Sequence, residues 1–281
     1  MLLESIETLL ILDQEKTMSR TASLLYISQS AVSKRIAFLE KKLGKKLVLP
    51  EGRHVRLTRD AKQLVTNLGA TFHELQGQLF EQRALQDDTI IHLACSETLV
   101  AGYLSKIMTP YLEQDPAITI STHHTPRIIE HVQSGKATIG LCAGYLPPQH
   151  GLKTILLWQE PFVVISQKKL EQLPAKVITN DLNNPANRYQ LDILSNLNIE
   201  PFMQMDSYTA AAQLALNGLA PAVVPISTVN TLNLDKQYCY DFTQLHALRR
   251  PVNICVRANI YANERIKKLI SAIAHVAPIT V

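Results

Sequence analysis

The sequence predicts a chain of three parts: a small α-helical winged helix-turn-helix, a long linker helix, and a larger α/β part that divides into two subdomains. Three observations carry this expectation. Residues 19–43 hold two helical apolar patterns separated by a short break. Basic residues crowd into the first quarter of the 281-residue chain. From about Thr89 onward, short apolar runs alternate with helical segments.

In the second helical segment Val32, Ile36, Leu39 and Leu43 recur at spacings of four, three and four, which places them on one stripe of a helix. Ser28 stands one residue before that helix, where its hydroxyl can accept from an unpaired backbone N–H of the first turn. The partner helix is expected to start after Ser19. The outer face keeps Gln29, Ser30, Ser33 and Lys34 near the N-terminus, with Arg35 at the flank. A helix fits the major groove of B-DNA, and these N-terminal groups are the ones that reach base edges in helix-turn-helix proteins. A solvated helical hairpin in an unrelated α domain would show the same stripe, so the charge pattern has to decide between the two.

From Lys16 to Lys62 there are twelve basic residues against three acids, on a chain whose net charge is only +4, so the remainder is net negative. Positive charge confined to one end beside a helix-turn-helix is the footprint of a nucleic-acid-binding module, because cations on phosphates release counterions. Gly44 can stop the second helix in the left-handed conformation. Leu47–Leu49 and His54–Leu57 then read as two short strands around a Pro50-Glu51-Gly52 turn, a wing that brings Arg53 and Arg56 toward phosphates. Thr58 caps the next helix, in which Leu64, Leu68, Phe72, Leu75 and Leu79 follow at spacings of four, four, three and four. Leu68, Phe72, Leu75 and Leu79 are expected to form the seam of a dimer, the alternative being packing onto their own domain.

These residues resemble the LysR-type transcriptional regulators of bacteria. The resemblance rests on Ala22, Leu25, Ser28, Gln29, Ala31, Val32, Ser33 and Ile36, then on Leu39, Glu40, Leu43, Gly44 and Leu47, and on Gly52, Arg53, Val55, Leu57 and Thr58 in the wing. The chain departs from the pattern at Ser30, where a proline is usual, at Val48 in place of a phenylalanine, at Pro50 in place of the wing arginine, and around Asp60-Ala61, where a glycine is usual. The resemblance implies that Gln29, Ser30, Ser33 and Lys34 read bases while Arg35, Arg53 and Arg56 hold phosphates.

Beyond the linker, the apolar runs Ile90–Ala94, Ile118–Ser121, Thr138–Cys142, Phe162–Ile165, Lys176–Thr179, Pro221–Val224 and Ile254–Arg257 read as strands, with Glu200–Met205 as another. Leu99–Glu113, Arg127–Ser134, Asn187–Leu197, Tyr208–Leu216 and Asn263–Ile273 read as helices between them, which predicts a mostly parallel sheet. The family's effector domain has two Rossmann-like lobes and resembles a periplasmic solute-binding protein, with the chain crossing between lobes twice. The resemblance places the first crossing near Ser166–Gln172 and the return near Leu248–Val252. Gly135, Gly218 and Pro225 match the family here, whereas Thr138 and Ala220 replace residues common in it. The expected organisation is therefore 1–58 for the winged helix-turn-helix, 59–86 for the linker and dimerisation helix, and 87–281 for the effector-binding domain. Within the last, lobe I spans about 87–166 and 252–281, and lobe II about 167–251.

A ligand of an open α/β fold lies at the carboxyl ends of strands, where helix N-termini favour anions. Cys95-Ser96-Glu97-Thr98, His124-Thr125-Pro126 and Asp206-Ser207-Tyr208-Thr209 each end a strand and open a helix. Each hydroxyl there has a competing explanation as a helix cap. The family arrangement turns all three junctions to one cleft, which makes Ser96, Thr98, His124, Thr125 and Ser207 candidate effector contacts. Their chemistry suits a small anion, and Glu97 among them allows a zwitterion or a cation.

Other chemistry is thin. His123-His124 is adjacent rather than spaced for a metal, and no Cys or His cluster has zinc-site spacing, so neither a metal nor a cofactor is expected. No G-x-S-x-G, P-loop or G-x-G-x-x-G occurs, and no enzyme is expected. Cys95, Cys142, Cys239 and Cys255 are scattered, three of them in apolar strands, as in the reduced core of a cytoplasmic protein. Met1 opens on no secretory n-region and h-region and no apolar run approaches eighteen residues, so neither a leader nor a membrane span is expected. The expectation is a ligand-responsive DNA-binding regulator that self-associates as a dimer or tetramer. Its alternatives are a DNA-binding protein whose C-terminal half only oligomerises, and a solute-binding or enzymatic protein.

Overall fold

The computed structural model describes residues 1–52, 54–81, 89–148 and 150–275. The chain separates into two compact units, Met1–Leu79 and Phe80–Val281. In the first, helices α1 (Leu2–Glu15), α2 (Met18–Leu25) and α3 (Gln29–Leu43) precede a hairpin, β1 (Val48–Glu51) and β2 (His54–Leu57), and then the long helix α4 (Arg59–Glu81) begins. Thr17 caps α2 by accepting from the Arg20 amide, so this helix starts at Met18, two residues before the start expected after Ser19. Ser28 caps α3 through the Ala31 amide at 3.2 Å, and Gly44 closes it at φ 65°, as the sequence predicts.

Ile36 and Leu39 pack with Leu9, Leu12, Leu47 and Leu57 and Val32 is buried as well, whereas Leu43 is 43% exposed. Leu43 therefore leaves the predicted stripe: the chain turns at Gly44 and Leu47 fills the core instead. The wing is tied to α3 by Glu40, whose Oε1 accepts from the Leu47 and Val48 amides at 2.8 and 3.3 Å while Oε2 accepts from Lys46 Nζ at 3.0 Å. Burial works to raise the Glu40 carboxyl, but the Leu47 amide, Lys46 and the Val48 amide together hold it below the usual carboxylate range.

The second unit carries a nine-stranded sheet. Its strands are β3 (Ile91–Cys95), β4 (Ile118–Thr122), β5 (Ile139–Ala143), β6 (Lys153–Ile165), β7 (Lys176–Asn180), β8 (Glu200–Met205), β9 (Ala222–Pro225), β10 (Cys239–Tyr240) and β11 (Arg249–Val256). Its helices are α5 (Glu97–Leu99), α6 (Ser105–Gln114), α7 (Thr125–Gln133), α8 (Tyr189–Asn196), α9 (Tyr208–Leu216), α10 (Ile226–Leu232), α11 (Ala258–Tyr261) and α12 (Glu264–Ala274). The strand order is β4-β3-β5-β11-β6-β9-β7-β8, with β10 also on β6.

The sheet is mixed rather than mostly parallel. The flanking groups β4-β3-β5 and β9-β7-β8 run parallel, but β11 pairs antiparallel with both β5 and β6, and β6 pairs antiparallel with β9. The centre is antiparallel because β6 and β11 carry the chain out of one lobe and back again. The first crossing lies inside β6, not at Ser166–Gln172. Lys153–Pro161 pairs with β11 in lobe I, and Phe162–Ile165 pairs with β9 and packs in the lobe II core. The two lobe boundaries expected at 166 and 167 accordingly move back to about Pro161, since a continuous apolar strand has no reason to break before its hydrophobic half is buried. At the return, Leu248 still belongs to the lobe II core and Val252 on β11 to the lobe I core.

Separate cores support the lobes. Leu93, Leu141, Trp158, Val252 and Ile254 anchor the first, and Val164, Ile178, Ala212, Val224 and Leu248 the second. Between α5 and α6 the helix widens into a π turn, Val100–Leu104, within the expected helix Leu99–Glu113. There Gly102 abuts α10, and a Cβ on it would stand 2.5 Å from the Ser227 carbonyl, so the lobes meet at a contact only glycine permits.

Glu40→Ala leaves the Leu47 and Val48 amides without their acceptor and should cost about 1.5–3 kcal/mol of stability of the N-terminal unit in urea unfolding. The wild-type contribution is fully present above the unfolded carboxylate value of about 4.3 and is lost as pH falls through the lower folded value. The variant should show a correspondingly shallower loss of stability below about pH 4.3, read from denaturation curves across that range.

Candidate functional site

Two groups of residues stand out, one in each unit. On the N-terminal unit, α3 opens with Gln29, Ser30, Ser33 and Lys34, all exposed, on the face opposite buried Val32 and Ile36. Their alternation with the buried stripe is what a helix of period 3.6 produces. Ser30 Oγ lies 2.9 Å from Ser28 Oγ, which ties one of the four to the cap.

Arg35 sits apart from them. Its Nη1 donates to Thr8 Oγ1 at 3.4 Å and its Nη2 stands 4.0 Å from Glu4 Oε1, so it is half-buried against α1. In the wing, Arg56 is exposed, pairs in register with Leu49, and has its Nε 3.7 Å from Glu51 Oε1. Arg53 lies outside the described residues. Lys45 and Lys46 are also exposed beside the wing, paired with Asp60 and Glu40. On α4, Phe72 is buried and Leu68 half-buried within the single chain, while Leu75 and Leu79 are 39% and 61% exposed. The inner face of α4 touches α1, as Gln76 Nε2 donating to Glu7 Oε1 at 3.3 Å shows.

In the second unit a cleft of about 410 Å³ opens where the three strand-to-helix junctions converge. Ser96, Thr98, His124, Thr125 and Ser207 all line it, so the structure brings the five predicted positions together. Their hydroxyls are not equally available. Thr125 Oγ1 donates to the Ala143 carbonyl at 2.7 Å and accepts from the Ala143 amide at 3.1 Å, which fastens the start of α7 to the end of β5. Ser207 Oγ accepts from the Ala210 amide as the cap of α9. Thr98 Oγ1 accepts from Arg250 Nη2 at 2.9 Å. Ser96 makes no cap bond, and its hydroxyl is uncommitted among the described residues. At the rim, His124 Nε2 meets Asp206 Oδ1 at 3.2 Å, joining the two lobes across the cleft.

The cleft also holds residues that the sequence reading missed. Arg250 on β11 is 3% exposed and its Nε donates to Glu160 Oε2 at 2.5 Å. Its Nη2 also donates to Ser227 Oγ at 2.8 Å, and its guanidinium carbon lies 5.4 Å from the centre of the Tyr208 ring. Glu160, fully buried, accepts in addition from the Ser227 amide at 2.6 Å and from the Tyr103 hydroxyl at 3.1 Å. Burial works to lower the Arg250 guanidinium, yet Glu160 and the neighbouring phenols hold it above its usual value. Burial, with the Glu160 carboxylate second, pushes the Tyr103 phenol up and keeps it a donor. Asn180 at the end of β7 and Asn187 complete the lobe II wall. A charged residue in the middle of an apolar run, Arg250 before Pro251-Val252, is the signal that could have found this node in the sequence.

Among the described residues no group of His, Cys, Asp and Glu could hold a metal ion, and no helix is long and apolar enough to cross a membrane. Burial pushes the thiols of Cys95, Cys142 and Cys239 up, away from the thiolate form that reacts.

Residues 3–62 match the bacterial regulatory helix-turn-helix proteins of the lysR family, and residues 86–278 match the LysR substrate binding domain. An uncharacterized HTH-type transcriptional regulator of Vibrio cholerae serotype O1 is 60% identical over 278 residues, which cover 99% of this chain and 97% of that relative. The HTH-type transcriptional regulator CitR of Bacillus subtilis is 22% identical over 277 residues, 91% of this chain and 92% of the relative. Among solved structures, a full-length OxyR variant from Pseudomonas aeruginosa aligns with a TM-score of 0.58 at 17% identity, covering 99% of this chain and 95% of that one. CbnR, a LysR family transcriptional regulator, aligns with a TM-score of 0.57 at 15% identity, covering 98% and 99%. These structures share the fold.

Glu160→Gln should lower the stability of the second unit by about 3–5 kcal/mol, because Arg250 would remain buried without its counter-charge. Urea unfolding followed by Trp158 fluorescence reads that loss.

Proposed function

This chain belongs to the LysR family of bacterial helix-turn-helix transcriptional regulators, and on that premise we propose that it binds promoter DNA through α3 and the wing and responds to a small molecule held between the lobes of its second unit. The observation that carries the first half is the polar N-terminal face of α3, where Gln29, Ser33 and Lys34 stand exposed above a buried stripe. These side chains can read base edges, and Ser30 can do so while its hydroxyl is hydrogen-bonded to that of Ser28. Arg56, the exposed lysines of the wing and Arg53 supply phosphate contacts. Arg35, turned toward Thr8 and Glu4, contributes chiefly by fixing α3 on α1.

The cleft supports the second half. A domain that served oligomerisation alone would have no reason to keep uncommitted polar groups at converging strand ends, whereas a ligand pocket requires them. Ser96 is the hydroxyl best placed for direct contact. Thr98, Thr125 and Ser207 shape the wall while their hydroxyls serve the protein, and His124 sits at the rim. The ligand is a small anion or zwitterion, and the protein acts in the cytoplasm without a cofactor. Closure of the lobes on the ligand would shift the population of DNA-binding geometries. We further propose self-association through the exposed side of α4, where Leu75 and Leu79 present apolar surface that a second copy would cover.

Ser33→Ala should alter sequence preference, and Arg56→Ala should weaken operator and random DNA alike and flatten the salt dependence by up to about one unit of slope. Fluorescence anisotropy across salt concentrations tests both, and unchanged affinities for either DNA in both variants would reject the assignment. Leu75→Asp with Leu79→Asp would place charge on the proposed seam at a cost of several kcal/mol per association. Light scattering should then give a smaller mass than for the wild type, and an unchanged mass rejects that seam.

A further inference from the structure

Several polar atoms facing the cleft are already spent on the protein. Thr125 is bonded twice to Ala143, Ser207 caps α9, and Asn187 Nδ2 donates to Asn180 Oδ1 at 3.3 Å and to the Asp181 carbonyl at 3.1 Å. Besides the Ser96 hydroxyl, the cleft keeps, among the described residues, two uncommitted donors on nearly buried side chains. Arg250 engages Nε and Nη2 but not Nη1. Asn180 uses its Oδ1 to accept from Asp181 N and Asn187 Nδ2, which leaves its Nδ2 without a partner. Both side chains line the cleft and are at most 5% exposed. Neither nitrogen is cut off from solvent, so two donors without a protein partner on side chains that line one cavity define what a ligand can bring to them: acceptors.

The charge balance narrows the class. Glu160 neutralises Arg250 within a buried pair, so the floor as a whole carries no surplus positive charge against which a dianion could be held. A single negative charge spread over two oxygens suits one guanidinium nitrogen and one amide nitrogen, and half-buried Arg127 on α7 adds positive potential at the same cleft. The acids Glu97 and Asp206 are exposed at the rim, where water screens them, and Asp206 already faces His124.

We propose that the cleft takes a small molecule bearing a carboxylate, seated with the carboxylate on Arg250 Nη1 and Asn180 Nδ2. The proposal rests on the effector reading above and names its ligand class. It also gives the ligand a lever. The same guanidinium holds Thr98 of lobe I and Ser227 of lobe II, so a carboxylate on its remaining nitrogen joins the bonds that connect the lobes.

Asn180→Asp is the discriminating variant. Aspartate keeps the acceptor used by Asp181 and Asn187, replaces only the unpartnered donor, and sets a negative charge against an incoming carboxylate. The full-length protein is titrated with pyruvate, lactate, succinate, 2-oxoglutarate and glutamate at up to about 10 mM, each beside its amide, and with inorganic phosphate and sulfate at matched ionic strength, with thermal stability as the readout. Uncharged sugars and putrescine complete the panel. The expected result is a rise in Tm with at least one carboxylate and none with its amide, and an affinity lowered roughly tenfold or more in Asn180→Asp at unchanged circular dichroism. An amide, phosphate or sulfate that binds as well as the acid overturns the proposal, as does an Asn180→Asp variant of undiminished affinity or one that fails to fold when Asn180→Ala folds and binds normally. Stabilisation by sugars or putrescine alone overturns the carboxylate and leaves the effector reading standing. No shift with any compound overturns both.

Discussion

The second unit is organised around one buried ion pair. Glu160 and Arg250 sit on the two strands that cross between the lobes, and between them they bind Tyr103 and Thr98 on one side and Ser227 on the other. Desolvating two charges is expensive, and the attraction between them compensates only when the remaining hydrogen-bonding sites are filled. Here all but Arg250 Nη1 are filled, by residues from both lobes, so the pair is satisfied to this extent only in a narrow range of lobe orientations. Replacing it by a hydrophobic contact of the same volume could be as stable, but such a contact would not specify that orientation.

This constraint explains features that otherwise look unrelated. The strands bearing Glu160 and Arg250 lie side by side at the antiparallel centre of the sheet, which brings Pro161 opposite Arg249 and Glu160 opposite Arg250. The helix after β3 widens at Val100–Leu104, and π turns of this kind recur at functional positions. Its Gly102 lets the backbone come against Ser227, the residue whose amide and hydroxyl both serve the ion pair. Thr98 and Arg250 also line the cleft, so whatever occupies it is within reach of the bonds that join the lobes.

The sequence was most legible where periodicity and capping act alone. The α3 stripe, the Ser28 cap, the Gly44 stop and helix Tyr208–Leu216 follow from residue types and spacings within one helix. It was less legible where an element's role depends on distant partners. The first half of β6 alternates exposed and half-buried residues and reads weakly, although it becomes the longest strand once β11 lies beside it. Phe72 belongs to a perfect apolar stripe, yet it is buried within the chain while Leu75 and Leu79 are left outside. Arg250 and Glu160 lie 90 residues apart, and neither carries a local sign of its partner.

The same limit applies to the hydroxyls at strand ends. Ser28, Ser96 and Ser207 occupy equivalent places in the sequence pattern, a serine between a turn or strand and a helix, and the pattern alone treats them alike. Ser28 and Ser207 turn their oxygens back to the amide three residues on, which satisfies one orphan donor of the helix and removes that oxygen from other chemistry. Ser96 opens a helix of only three residues that widens into the π turn, and its hydroxyl makes no such bond. Whether a hydroxyl supports a helix or a ligand is therefore settled by the geometry of the first turn. The same reasoning applied to nitrogen singles out Arg250 and Asn180: a group with bonds left to make, on a side chain otherwise held by the protein, constrains the chemistry of a ligand more than a group whose bonds are complete.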